Sequence, residues 1–575
     1  MVLVVQGSES KVYKVYKVCK VKEKIEKNIE NVLKTLGVLN PKVVLEHPGE
    51  LEHGDYASSV ALSYTKELKI SPKELAEKII AEIEKNKPRE VEKIEVAGIG
   101  FINFYLSKEF FVESVKEIIN TGEGYGKSAL LNKQKTIIEY TDPNPFKEFH
   151  IGHLMSNTIG ESISRIVEWN SAEIKRANYQ GDVGIHVAKA LWGKIKEPQI
   201  AWANAYVLGA KNYEENETAK KEIVELNKKI YERSDEQINT LYDSGKKGSL
   251  DAFEQMYKLL GTKFDFYFFE SETGTFGKEI VEKNIGKVFE ESEGAVVFKG
   301  EKYNLHTRVF INSEKLPTYE AKELGLAKIK FEKYPYDKSI IITANEVNDY
   351  FKVLLKVMEL IFPDLAAKTV HISHGMLRLP TGKMSSRTGD VITAESLIGM
   401  VKEVVQEKIK DREFTQEEKE DVTEKVAIGA IKYSILKQSS EKDIIFDFEK
   451  SLSFEGNSGP YLQYTAARAQ SVLHKAETEN IQADTTNTRN VLYPIEKLLP
   501  RFPEVVERAG KEYAPHYIAT YLIELASAFN AFYANETIVN ATDAQSPYKV
   551  ALTRAVKTIL KNGLYLLGIP VLERM

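Results

Sequence analysis

Cysteine is almost absent from this sequence. Among its 575 residues there is one, Cys19. A single cysteine cannot form an internal disulfide, and it cannot supply a cysteine-rich zinc site. We therefore expect no zinc or other resident metal, and we expect the protein to work in a reducing compartment, the cytoplasm.

Long apolar runs are lacking as well. No stretch of about 20 apolar residues occurs in the chain. The opening segment Met1–Val5 is apolar but too short for the core of a secretory signal. The sequence therefore predicts neither a membrane span nor a signal peptide.

Neither sign of charge dominates. The chain has 79 Lys and Arg against 84 Asp and Glu, a net charge of −5. This balance argues against a chain coated in positive charge, but it leaves room for a local basic stripe that binds nucleic acid. Glycine and proline are not enriched, and 43% of the residues are apolar. We therefore expect an ordered chain of about three to five domains.

The pattern along the chain predicts three regions. They are residues 1–120, a small α+β domain; residues 121–450, where strands and helices alternate, with a charged helical insertion at about 190–300; and residues 451–575, which are nearly all helical.

Local patterns predict particular elements within these regions. In the first region, apolar spacing predicts amphipathic helices at 21–38 and from Pro72 to about Lys85, and Val96–Leu106 resembles a strand. In the second, Thr136–Thr141 and Ile174–Asn178 predict strands on either side of a helix that begins near His150. A strand, a helix and a strand in this order indicate a parallel sheet.

The segment His150-Ile-Gly-His153 opens that helix directly after a strand. A helix N-terminus favours phosphate through its free N–H groups and its dipole. Gly152 permits close approach of a base or ribose, and the two histidines can donate hydrogen bonds to phosphate oxygens. The same four residues could equally be an ordinary first helical turn with two polar side chains. A phosphate site therefore needs the support of a second motif.

The segment Lys383-Met-Ser-Ser-Arg387 lies in a polar stretch that runs from Thr381 to Gly389. A loop of this kind can close a lysine and hydroxyl groups onto a triphosphate, although alone it is equally typical of a surface loop. The two segments together, in this order and 233 residues apart, resemble the HIGH and KMSKS signatures of class I aminoacyl-tRNA synthetases. This separation leaves little room for a large editing domain.

The surrounding sequence resembles the arginyl-tRNA synthetase family across most of the chain. The similar segments include Glu139–His153, Asn178–Gly184, His374–Leu379, Gly459–Arg468, Phe529–Tyr533, His53–Ala57 and Gly98–Phe104. The resemblance implies an α/β fold, with a Rossmann-like catalytic core between an appended N-terminal α+β domain that contacts tRNA and a C-terminal all-α anticodon-binding bundle. It also implies L-arginine, ATP with Mg²⁺ and tRNA(Arg) as reactants. Nothing in the sequence demands a dimer, so a monomer is expected.

The resemblance assigns residues to an arginine pocket. Carboxylates are the natural partners of a guanidinium, because they accept two parallel hydrogen bonds. Glu139 and Glu323 match the two acids of the family, although the usual residue at the second position is the shorter Asp. Tyr319 matches the family's tyrosine, and Asn144 matches the residue that holds the main-chain groups of the amino acid.

The resemblance also assigns residues to ATP and tRNA. The second lysine of the KMSKS pattern falls on Ser386, and we expect Lys147 to supply the missing charge. Asn345–Tyr350 is expected near the ATP ribose, without assigned roles. The residues predicted to bind ATP are His150, Gly152, His153, Met376, Lys383, Ser385 and Arg387. Those predicted to be catalytic are Lys147, His150, His153 and Lys383. Those predicted to bind tRNA are Tyr461, Gln463, Tyr464 and Arg468.

Two alternatives remain open. A cysteinyl or glutamyl enzyme of the same class places its first motif near the chain start, unlike His150, and the cysteinyl enzyme's zinc site needs more than one cysteine. A non-catalytic tRNA-binding relative would be expected to have lost His150, His153, Lys383 or Glu139, all of which are present.

Overall fold

The structure is a computed structural model that describes residues 16–380, 392–487 and 492–574. The predicted ATP-binding residues Lys383, Ser385 and Arg387 lie outside the described residues.

The N-terminal region is a three-stranded antiparallel sheet, in the order β1-β3-β2, packed against helices. Its elements are α1 (Lys17–Thr35), β1 (Tyr56–Ser58), α2 (Val60–Leu68), α3 (Pro72–Glu84), β2 (Val91–Ala97), β3 (Phe101–Leu106) and α4 (Lys108–Thr121).

Both helices predicted in this region are present, but the predicted strand is not a single element. In α1, Val21, Ile25, Ile29 and Leu33 are buried at helical spacing. The prediction of one strand over Val96–Leu106 is wrong, because β2 and β3 form an antiparallel hairpin there. The turn between them contains two glycines at φ 54° and 135°, a backbone conformation that other residues rarely adopt.

The central region is built on a five-stranded sheet in the order β11-β10-β4-β5-β6, and every neighbouring pair is parallel, as the sequence predicts. The elements up to its fourth strand are β4 (Lys135–Glu139), α5 (Ile151–Trp169), β5 (Glu173–Gln180), α6 (Ile185–Lys196), α7 (Trp202–Glu215), α8 (Glu217–Glu232), α9 (Glu236–Leu260), β6 (Phe266–Phe269), α10 (Glu270–Glu282), β7 (Glu290–Ser292), β8 (Ala295–Phe298), β9 (Arg308–Ile311), α11 (Tyr319–Lys333) and β10 (Lys338–Ala344).

Helices α7, α8 and α9 form a helical insertion between β5 and β6. The range predicted as an insertion, about 190–300, is wider, since it also contains β6 of the parallel sheet and the first two strands of a separate antiparallel sheet formed by β7, β8 and β9. The central region then continues through α12 (Asn348–Ile361), α13 (Pro363–Lys368), β11 (Thr369–His374), β12 (Leu377–Arg378), α14 (Ala394–Ile409), α15 (Gln416–Leu436), β13 (Ile444–Ile445) and α16 (Phe448–Ser451).

The C-terminal region is helical, as predicted. Its elements are α17 (Gly459–Thr478), α18 (Pro494–Leu498), α19 (Phe502–Glu512), α20 (His516–Asn535) and α21 (Ser546–Leu566). Within the described residues, no helix combines the length and the apolar character that crossing a membrane requires.

Helix α5 connects the predicted ATP site to the C-terminal region, because it begins at the former and packs against the latter. The Ser162 hydroxyl donates to the carbonyl of Leu566 at 2.9 Å, and the Arg165 guanidinium donates to the carbonyl of Tyr565 at 2.9 Å. The buried ammonium of Lys432 donates to the carbonyl of Gly568 at 2.8 Å. The C-terminal helix is therefore fixed directly to the helix that carries the histidines.

Candidate active site

The histidines at the start of α5 form a stacked pair, with ring centroids 3.6 Å apart. The Nδ1 atom of His150 accepts from the Gly152 amide at 3.1 Å, and the Nδ1 atom of His153 accepts from the His150 amide at 3.2 Å. Burial and the nearby Lys147 lower the pKa of His150 to about 4, and burial lowers the pKa of His153 well below its usual value. Both rings are therefore neutral near pH 7. Because each Nδ1 accepts, each Nε2 carries the proton and can donate it to a phosphate oxygen.

Packing against His150 explains why position 152 is a glycine, which the sequence did not reveal. A β-carbon at this position would lie 2.9 Å from the Nδ1 and Cε1 atoms of the His150 ring. Any larger residue would displace that ring and break its hydrogen bond to the backbone. Glycine is required here for the histidine geometry itself, in addition to any approach of a ligand.

The loop between β4 and α5 has an unusual backbone. Thr141, Asp142 and Phe146 have positive φ angles of 83°, 45° and 69°. Such angles are rare outside glycine and are most unusual for a β-branched threonine. Residues held in this conformation cluster at functional sites, where the surrounding structure enforces it.

The described segment that follows the second motif lies beside the first motif. Ile392, which follows the undescribed residues 381–391, accepts at its carbonyl from the amide of Ile151 at 3.2 Å. The amide of Ala394 donates to the carbonyl of Phe149 at 2.8 Å, and Thr393 forms a bridge with His150. Two segments far apart in the sequence therefore meet at the start of α5.

Three carboxylates meet beyond the end of β4, where Lys330 is the cation nearest to them. The ammonium of Lys330 donates to the Glu139 carboxylate at 2.7 Å, and both side chains are only 2% exposed. Burial and the charge of Glu139 raise the pKa of Asp142 and of Glu323 well above their usual values. Among the described residues these acids share Lys330, so burial and mutual repulsion disfavour ionising all three acids of this carboxylate cluster (Glu139, Asp142 and Glu323 around Lys330), and a bound cation would favour their charged forms.

Glu139 is thus less accessible than the sequence suggests. It already holds a buried lysine, whereas Glu323 is only half-buried. Lys330 and Asp142 are members of the cluster that sequence reasoning missed. Asp142 had a detectable signal, since it follows Glu139 by three residues in the extended first motif, but Lys330 had none in its helical pattern.

Asn144 lies beside Gly181, and Tyr319 lies at a cavity. The Oδ1 atom of Asn144 is so close to Gly181 that a β-carbon there would come within 2.2 Å of it. Tyr319 is 58% exposed and lines a cavity of about 420 Å³ together with Lys322 and Tyr206. Of the four predicted arginine-binding residues, the structure brings Glu139 and Glu323 close enough to interact electrostatically. Met376 lies farther along the sheet edge, where its amide donates to the Asp443 carboxylate at 2.8 Å.

Lys147 belongs to a cluster of opposite sign. Burial and the charge of Lys189 lower the pKa of Lys147 to about 8, and the ammonium lies 4.7 Å from the centroid of the Tyr206 ring. Lys189 lies 4.0 Å from the centroid of the Tyr213 ring. Together with the neutral His150 and His153, Lys147 and Lys189 form a cationic cluster at the start of α5 that suits an anionic ligand.

The predicted tRNA residues lie on α17, but they do not share one face. The guanidinium of Arg468 lies 4.6 Å from the Tyr464 ring and 4.9 Å from the Tyr533 ring, and Tyr464 and Arg468 line two adjoining cavities of about 440 and 670 Å³. Tyr461 lines the smaller of them.

Gln463, on the same helix, points inward. It is fully buried, and its amide donates to the carbonyls of Lys425 and Pro570 at 3.0 and 2.8 Å. The structure thus gives Gln463 a packing position instead of the predicted place on an RNA-facing surface. The reason is that α17 contacts α15 and α21 on the side where Gln463 lies.

Comparison with known proteins agrees with this geometry. A family model for the class I synthetase (R) catalytic domain matches residues 114–448, one for the DALR anticodon-binding domain matches residues 462–575, and one for the arginyl-tRNA synthetase N-terminal domain matches residues 20–106.

Relatives of similar length carry the same assignment. The chain is 31% identical to an arginine–tRNA ligase of Treponema denticola, over 94% of this chain and 96% of the relative. It is 32% identical to one of Fusobacterium nucleatum, over 91% and 93%. The fold is similar to that of arginyl-tRNA synthetases from Plasmodium falciparum (TM-score 0.78, 22% identity, 96% of this chain and 99% of that chain) and Thermus thermophilus (0.72, 24%, 96% and 100%). The chain therefore belongs to the arginyl-tRNA synthetase family of class I.

Proposed function

We propose that the protein ligates L-arginine to tRNA(Arg) in two steps. The carboxylate of arginine attacks the α-phosphorus of ATP, which forms arginyl-adenylate and releases pyrophosphate. A hydroxyl of the terminal ribose of the tRNA then attacks the arginyl carbonyl, and AMP leaves. The observation that carries this proposal is the hydrogen bond from the Ile151 amide to the Ile392 carbonyl, because it brings the chain that follows the KMSKS-like segment beside the histidines.

The cationic cluster would receive the phosphates. His150 and His153 would donate through Nε2, while Lys147 would face the phosphates together with Lys383, Ser385 and Arg387 from the second motif. Gly152 and Met376 would flank the adenosine. Mg²⁺ would arrive bound to ATP, since this ion is commonly held through substrate phosphates. The protein then acts by positioning and by stabilising charge on the departing pyrophosphate.

The carboxylate cluster would receive the guanidinium. Ionising all three acids is costly without a further cation, and a bound guanidinium would favour their charged forms. We propose that Glu323 contacts the guanidinium directly. Glu139, which holds Lys330, would act on it indirectly through its charge, and Tyr319 and Asn144 would complete the pocket. The extra methylene of Glu323 relative to the usual Asp would carry its carboxylate farther into the cleft.

The rim of α17 would receive unpaired bases of the tRNA. Tyr461, Tyr464 and Arg468 offer aromatic faces and a guanidinium beside the two cavities, and bases stack on such groups. Arg468→Ala should weaken tRNA(Arg) binding about tenfold. Arg508→Ala is a matched control, because Arg508 also lies over a tyrosine ring, Tyr517 at 4.0 Å. Equal losses in both variants would contradict the assignment.

ATP–pyrophosphate exchange, measured with each amino acid and with tRNA(Arg) present, tests the overall function. Exchange is expected with arginine and with none of the other amino acids. Exchange with cysteine or glutamate would support the alternative enzymes, and no exchange at all would support a non-catalytic relative. We further propose that the enzyme acts as a cytoplasmic monomer, which sedimentation of the purified protein would check for the oligomeric state.

A further inference from the structure

Tyr206 connects the helical insertion to the cationic cluster. It lies on α7, outside the parallel sheet, and the ammonium of Lys147 lies 4.7 Å from its ring centroid. The same tyrosine lines the cavity of about 420 Å³ whose wall also includes Tyr319. One ring of the insertion therefore adjoins both the proposed phosphate lysine and the proposed arginine pocket.

The surroundings of Lys147 offer its ammonium little support. The charged and titratable groups that act on it come from several elements: His150 and His153 at the start of α5, His186 and Lys189 on α6, and Glu270 at the start of α10. The histidines are neutral, because burial lowers the pKa of each of them. Lys189 repels the ammonium, and the carboxylate of Glu270 is already paired with Lys322 at 2.6 Å.

In the described part of the chain, the aromatic face of Tyr206 gives the ammonium further support. A ring within about 6 Å attracts a cation through its quadrupole, and the attraction grows when water is excluded. The ring also limits the rotamers of a long, flexible side chain, so that less entropy is lost when the ammonium engages a ligand.

We propose that Tyr206 is a positioning residue for adenylate formation: its ring holds the Lys147 ammonium, charged and oriented, for transfer to the phosphates of ATP. This inference rests on the proposed role of Lys147. It gives the insertion a defined part in the reaction, since a shift of α7 would move the ring that supports this lysine.

The test compares three variants in arginine-dependent ATP–pyrophosphate exchange with tRNA(Arg) present. Tyr206→Leu removes the ring face and should lower kcat about tenfold, with the KM for arginine unchanged. Tyr206→Phe keeps the face and should restore most of the rate. Tyr303→Leu is the matched control, because the Tyr303 ring also faces an ammonium, that of Lys356 at 5.2 Å, but lies outside the cationic cluster, and it should leave the rate near that of the wild type.

Two further measurements separate positioning from general structure. Lys147→Ala should slow exchange about a hundredfold, and adding Tyr206→Leu should slow it no further, because the ring then has no ammonium to hold. In the wild type the rate should fall as the pH rises through about 8, where Lys147 loses its proton. In Tyr206→Leu this fall should begin at lower pH, because the charged form has lost its support.

The outcomes are distinguishable. A wild-type rate in Tyr206→Leu, additive losses in the double variant, or an unmoved alkaline limb would each overturn the inference while leaving the proposed function intact. A wild-type rate in Lys147→Ala would also overturn it. Absence of arginine-dependent exchange in the wild type would instead reject the proposed function.

Discussion

The catalytic region holds two groups of buried charge with opposite surplus. The carboxylate cluster sets three acids against Lys330, and the pKa of two of those acids is raised. The cationic cluster sets Lys147 and Lys189 among neutral histidines, and the pKa of Lys147 is lowered. In both groups burial and a neighbouring like charge disfavour the charged form, although the exposed carboxylate of Glu214 lies 3.6 Å from the Lys189 ammonium and partly compensates that lysine.

This difference identifies which part of a ligand each group would meet. Burying like charges together costs free energy, and a ligand of opposite sign recovers that cost when it binds. A surplus of acids therefore indicates a cationic side chain, and a surplus of lysines indicates phosphates. Arginine and ATP supply one of each, and the following changes test the contrast in order of decreasing effect.

Lys330→Met should have the largest effect. It removes a buried cation and leaves Glu139, Asp142 and Glu323 uncompensated by it, which should lower the free energy of unfolding by about 3–5 kcal/mol. Urea unfolding measures this change. Saturating arginine should restore part of the stability, because its guanidinium replaces the missing charge. If arginine stabilises the variant no more than lysine does, the guanidinium does not enter this cluster.

Glu323→Gln should mainly affect arginine. Loss of one charged partner of a desolvated guanidinium costs roughly 2–5 kcal/mol, so kcat/KM for arginine in the exchange assay should fall at least about thirtyfold while the KM for ATP changes little. Glu332→Gln is the control, since Glu332 lies on the same helix with its side chain 51% exposed. A normal kcat/KM in Glu323→Gln would remove this residue from the pocket.

Lys147→Ala should mainly affect ATP. Removal of one donor to a developing charge costs on the order of 3 kcal/mol, or about a hundredfold in rate. Adenylate formation should slow accordingly with little change in the KM for arginine. Adding Ser386→Lys should recover part of the rate by restoring the loop lysine. If arginine affinity falls instead of the rate, the two clusters are not functionally separate.

The smallest expected effect is on the pH dependence of activity. The carboxylate cluster should give its acid limb and the cationic cluster its alkaline limb. Because the pKa of Glu323 and of Asp142 is raised, these acids take up protons at higher pH than free acids do, and the KM for arginine should rise as the pH falls toward that range. The rate of the ATP step should instead fall as the pH rises through about 8. Lys147→Arg should move only the alkaline limb, to higher pH. Movement of both limbs would contradict the contrast.

Much of the fold could be predicted from the sequence. The parallel sheet, the helix beginning at His150 and the helical C-terminal region follow from apolar spacing and chain order, which are local properties. The motifs that carry the family resemblance are local too. The prediction failed locally only where glycine geometry decided the outcome, as in the hairpin between β2 and β3.

The sequence by itself determined the fold class, the family and the two motifs, because each depends on residues that lie close together in the chain. The tertiary structure alone decided that Lys330 neutralises Glu139 across a separation of 191 residues. It also decided that the Tyr206 ring lies 4.7 Å from the Lys147 ammonium and that the side chain of Gln463, on α17, is buried. Charge balance, desolvation and packing depend on which distant segments meet, and no local periodicity encodes those contacts.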